Sequence, residues 1–96
     1  MLQLREADRH TLQVALNRFP EVRRAWIFGS RAKGRAARAS DIDLAIEAPT
    51  LTPMRWHELN DVLEQAPIIY KLDVVHLDTL QDKALMQAIL NNRQSL

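Results

Sequence analysis

Residues 41–47, Asp-Ile-Asp-Leu-Ala-Ile-Glu, begin with acid and hydrocarbon in strict alternation. Side chains alternate across a β-strand, so Asp41 and Asp43 share one face while Ile42 and Leu44 share the other. The hydrocarbon face belongs to a core. The acidic face sets two carboxylates side by side, which is tolerable only where they are solvated, protonated or neutralised by a cation. The rest of the chain must therefore supply a cover for one side of this strand and a counter-charge for the other.

Read in order, the chain supplies the cover. Leu12, Ala15, Leu16 and Phe19 recur at helical spacing and predict an amphipathic helix from Glu6 to Phe19, ended by Pro20. Arg24 to Phe28 reads as a short buried strand, broken by Gly29-Ser30. Residues 31–39, rich in Ala, Arg and Lys, predict a short helix limited by Gly34. The acidic strand, Asp41 to Glu47, ends at Ala48-Pro49. Thr52-Pro53 then reads as an N-cap and first helical residue, opening a helix to Gln65 with the stripe Trp56, Leu59, Val62 and Leu63. Ile68 to Leu77 predicts a third strand, and Asp78-Thr79 is expected to cap a last helix from Leu80 to Asn91.

This alternation predicts an α+β (α/β) fold, a small mixed sheet of three to four strands with helices packed on it, in a single domain over residues 1–96. Periodicity leaves the pairing sense of the first two strands open. A net charge of +1 gives no global pull toward nucleic acid or membrane. The absence of cysteine excludes disulfides and thiolate metal sites. No apolar run is long enough to span a bilayer, and no signal-peptide core opens the chain, so a cytoplasmic location is expected. Positive charge is nonetheless uneven: Arg31, Lys33, Arg35 and Arg38 fall in a stretch free of acids.

A third acid, Asp73, interrupts the otherwise apolar third strand. Leu72 and Val74 should face the core, which turns Asp73 to the opposite side. If the second and third strands are neighbours, Asp41, Asp43 and Asp73 converge. Three carboxylates without His or Cys partners make an all-oxygen site suited to Mg²⁺ or Mn²⁺ and completed by substrate phosphates. Two such ions, about 3.5–4 Å apart, serve nucleotidyl transfer by activating a hydroxyl and stabilising the leaving pyrophosphate. Gly29 lets the backbone approach a ligand, Ser30 and nearby N–H groups can bind phosphate, and Arg31 and Lys33 can offset triphosphate charge. Arg35 and Arg38 read equally well as a solvated helix face. His10 and His57 are expected on helix surfaces and His76 packed at a strand end. Trp26, Trp56 and Tyr70 read as core or interface residues, and Glu47 and Asp78 as solvent-facing acids.

The run Gly29-Ser30-Arg31-Ala32-Lys33-Gly34, followed by Ser40-Asp41-Ile42-Asp43-Leu44 and later Lys71-Leu72-Asp73-Val74-Val75, resembles the signature of the DNA polymerase beta-like nucleotidyltransferases. The short length is similar to the minimal nucleotidyltransferase (MNT) group. The resemblance implies that Asp41, Asp43 and Asp73 are catalytic metal ligands and that Gly29 and Ser30 hold the triphosphate. It implies an antitoxin that moves AMP from ATP to a tyrosine of a HEPN-type toxin. A non-catalytic antitoxin acting by contact, or a small-molecule nucleotidyltransferase, would fit the same residues. A short chain is also expected to leave base and acceptor selectivity to a partner.

Overall fold

The computed structural model describes residues 3–34 and 40–96 of the chain. The elements are α1 (Glu6–Asn17), β1 (Arg24–Phe28), α2 (Gly29–Ala32), β2 (Ile42–Glu47), α3 (Pro53–Glu64), β3 (Leu72–His76), a 3₁₀ turn (Leu77–Thr79), α4 (Lys83–Asn92) and β4 (Gln94–Ser95). They form one mixed sheet in the order β3-β2-β1-β4, in which β2 is antiparallel to β1 and parallel to β3. This is the α+β fold with a small mixed sheet that the element order predicts. The pairing sense left open by periodicity is thus antiparallel. The parallel step to β3 is made possible by α3, which supplies the crossover such pairs need.

One sheet face is closed. Ile27, Ile42, Leu44 and Ile46 are fully buried and join Leu12 and Leu16 of α1 and Leu59 and Leu63 of α3 in the main core. On the other face Trp26 and Ala45 are buried with Ile89 of α4, while Phe28 and Val75 of the sheet and Leu85 of α4 are only partly buried against them. Alternation along β2 decides which residue goes where.

Three boundaries differ from the sequence reading, each for a tertiary reason. The third strand covers Leu72–His76 rather than Ile68–Leu77, because residues 65–71 turn before the chain joins β2. Asp78 does not cap the last helix. Its Oδ2 accepts from the Ala48 N–H at 2.7 Å, and α4 starts later, with Asp82 accepting from the Leu85 N–H at 3.0 Å. Finally, β4 pairs with β1 through Trp26–Ser95 and Ile27–Gln94, an edge no local pattern announced. Thr52 does cap α3, accepting from the Arg55 N–H, with Pro53 at the first position. Of the short helix expected over residues 31–39, the described part is the single turn of α2; residues 35–39, with Arg35 and Arg38, lie outside the described residues.

Candidate active site

The site forms where β1 hands over to α2 and where β2 and β3 begin. Asp43 is opposite Asp73 in the parallel register and opposite Phe28 in the antiparallel one. Both carboxylates therefore leave the sheet on the face away from the main core. Asp43 is half-buried, and burial raises its carboxyl above the usual range; the charges of Asp73 and Asp41 push the same way, while the Arg31 guanidinium opposes them. Asp73 is partly offset by Lys71, whose Nζ lies 3.8 Å from Oδ1.

Asp41 stands just ahead of β2 and is exposed, so the strict alternation expected from Asp41 to Asp43 starts only at Ile42. Its charge is felt by Asp43. Among the described residues, however, no three His, Cys, Asp or Glu side chains close tightly enough to hold one metal ion. The donor set itself, carboxylate oxygens arranged beside one another with mutual repulsion, matches a hard divalent cation.

Gly29 explains why the turn after β1 needs glycine. It adopts φ +72°, a left-handed backbone that side chains with a Cβ resist, and a Cβ there would collide with the Asp43 carboxylate. Gly34, at φ +70°, ends the turn of α2 on its other side. The chain has two glycines, and both serve this one turn. Ser30 is half-buried beside it and Lys33 is exposed just beyond.

Arg31 departs from its expected role. Its side chain does not reach toward open space but is buried, donating to the carbonyls of Gln3, Ser40 and Asp41 and lying 4.3 Å from the Tyr70 ring centroid. Its guanidinium is thus engaged by three backbone carbonyls and a ring within the fold. Sequence reasoning missed this because its partners are scattered along the chain. The only local hint was an arginine in a turn next to a later tyrosine in an apolar segment.

His10 and His57 are exposed. His76 packs at the end of β3, stacked on Trp56 with ring centroids 5.1 Å apart, its Nε2 2.9 Å from the Ala48 carbonyl and 3.3 Å from Asp78. Glu47 faces Arg23 at 3.9 Å on the surface.

Comparison with known proteins decides the family. The polymerase beta nucleotidyltransferase model matches residues 10–96. The chain belongs to that family. A search of curated protein sequences gave no match. Among solved structures, this nucleotidyltransferase is similar to one described as a toxin–antitoxin with AMP-PNP, at 26% identity and TM-score 0.73, covering 90% of this chain and 69% of that one. It is similar also to a mutant of the toxin–antitoxin MntA–HpeT, at 27% identity and TM-score 0.70, covering 98% and 72%. A putative nucleotidyltransferase from Sulfolobus solfataricus shares the fold at 18% identity and TM-score 0.57, covering 92% and 74%. The likeness to MntA–HpeT agrees with the minimal-nucleotidyltransferase resemblance carried by Gly29-Ser30 and the three acids.

Proposed function

We propose that this nucleotidyltransferase moves AMP from ATP to a hydroxyl, a tyrosine, on a HEPN-type toxin and thereby acts as its antitoxin. The observation that carries the enzymatic part is the registered pair Asp43 and Asp73, with Gly29 held at positive φ against the Asp43 carboxylate. Asp41, Asp43 and Asp73 would hold the divalent ion, Mg²⁺ or Mn²⁺, which on binding activates the acceptor hydroxyl and neutralises the leaving pyrophosphate. Gly29 lets the triphosphate approach the backbone, Ser30 donates to a phosphate oxygen, and Lys33 adds positive charge at the rim. The raised carboxyl of Asp43 favours this reading, because a cation offsets both the burial and the carboxylate repulsion that make its ionised form costly.

The partner half rests on the relatives. One is a toxin–antitoxin with AMP-PNP, an ATP analogue, and another is MntA–HpeT. A second reading, an antitoxin that acts by contact alone, draws on the absence of a closed three-carboxylate cluster among the described residues. One experiment separates the two. With the toxin encoded beside it, labelled ATP and Mg²⁺, the wild-type chain is expected to label the toxin. Asp41→Asn/Asp43→Asn is expected to abolish labelling and neutralisation together while remaining folded. Neutralisation by a folded double variant that no longer labels would establish the contact reading instead.

A further inference from the structure

The Arg31 side chain is only 7% exposed, and its planar head ties together three segments distant in sequence. Nη2 donates to the Ser40 carbonyl at 2.6 Å, Nε lies 3.2 Å from the carbonyls of both Ser40 and Asp41, and Nη1 donates to the Gln3 carbonyl at 3.1 Å. Its backbone carbonyl accepts from the Gln3 N–H at 2.8 Å and the Gly34 N–H at 3.3 Å. Tyr70, over which the head lies, precedes β3. The entries of β2 and β3 are joined there by one further bond, from the Ile42 N–H to the Lys71 carbonyl at 2.9 Å.

A buried cation is stable only when its donors are met, and a rigid planar fork of five N–H donors holds several carbonyls in fixed directions, which a rotating ammonium on a flexible stem does not. The geometry points to Arg31 as a positioning residue: its guanidinium clamps the Ser40–Asp41 entry of β2 against Tyr70 at the entry of β3, and so sets where Asp41 and Asp73 stand relative to each other without touching nucleotide. The inference rests on the reading of those acids as the reacting site. It goes further in assigning the basic residue of the turn to geometry rather than to phosphate. Two of the three carbonyls it binds, Ser40 and Asp41, are the backbone of the very segment that carries Asp41, so a shift in the clamp becomes a shift in that acid.

The test is Arg31→Lys in the full chain, which keeps the charge but loses the fork. If the clamp is real, amide exchange at Ile42 accelerates by about tenfold or more while Leu44 and Ile46 keep their protection. Mn²⁺ affinity in the presence of AMP-PNP falls by about tenfold, and metal-free AMP-PNP affinity stays within about threefold of wild type. A tenfold loss of metal-free AMP-PNP affinity with Ile42 exchange unchanged would put the guanidinium on the phosphates and overturn the proposal. Tyr70→Leu, which keeps Arg31 but removes its platform, is expected to give the same exchange pattern at smaller amplitude. Unmoved Ile42 exchange in that variant also counts against the clamp. Should the wild-type chain bind neither Mn²⁺ nor AMP-PNP, the enzymatic reading fails, and the exchange data still decide whether the clamp exists.

Discussion

The two faces of β2 are built from alternate residues of one strand and obey different rules. On the side of α1 and α3, Ile42, Leu44 and Ile46 are fully buried in hydrocarbon. On the side of α4, Asp43 and Glu47 flank Ala45, and the covering helix buries Ile89 while leaving Phe28, Val75 and Leu85 partly open. The closed face supplies stability. The half-covered face accepts a destabilising cluster of like charges because the closed face can carry it. A slip of one residue in the β1–β2 register would exchange the two sets, so the core that fixes the register also aims the acids.

That division can be broken most severely at Asp43. Burial and the charges of Asp73 and Asp41 raise its carboxyl, so the folded chain holds the proton more firmly than the unfolded chain does. Charging it therefore lowers stability as pH rises through the interval between the ordinary and the raised value. Asp43→Asn removes that penalty. Transfer should fall on the order of a thousandfold, while the melting temperature at pH 7 rises and its decline as pH climbs above the ordinary carboxylate value flattens. Calorimetry across pH, beside a labelling assay, checks both; an inactive variant that melts lower would place Asp43 among the structural residues.

A smaller effect of the opposite kind is expected next door. Leu44→Ala opens a cavity in the closed face and should cost about 2–5 kcal/mol of unfolding free energy by urea titration. Whatever fraction remains folded should keep its Mn²⁺ affinity, because the acids leave the other face. Loss of metal binding from fully folded Leu44→Ala would dissolve the distinction between the faces. The mildest probe joins them. Gly29→Ala forces a Cβ into a left-handed backbone at about 1–2 kcal/mol and drives it against the Asp43 carboxylate. Its signature is activity lost out of proportion to stability, with Gly34→Ala, at the similar φ of +70°, as the control for the backbone cost alone.

The sequence made much of this visible where the signal was local. Hydrocarbon spacing located α1 and α3, the Thr52-Pro53 pair marked the start of α3, and a lone acid between Leu72 and Val74 marked the face that β3 shares with Asp43. What stayed hidden depends on residues that meet only after folding. Asp78 looked like a helix cap and instead satisfies the Ala48 N–H across the β2–β3 crossover, which leaves the capping role to Asp82. Arg31 looked like a phosphate ligand, because a cation in a glycine turn commonly is one; only the arrival of Gln3, Ser40 and Tyr70 gives its fork a different task. β4 is two residues long, and nothing in Gln94-Ser95 favours a strand apart from the open edge of β1.

That short edge has a consequence in time. β1 and β2 are near in sequence, and β3 joins them across α3, but β4 must return across more than two thirds of the chain to pair with Trp26 and Ile27. Its few backbone bonds, helped by Arg93 over the Trp26 ring and by Arg9 and Gln13 donating to the Leu96 carbonyl, are set against a large loop-closure entropy. Pairing of this kind is expected to form late and to open early. The β1 edge should therefore be the earliest part of the sheet to become accessible during unfolding. A slow-to-zip, quick-to-peel strand on the edge remote from β3 lets that side breathe while the register of Asp43 and Asp73 stays intact.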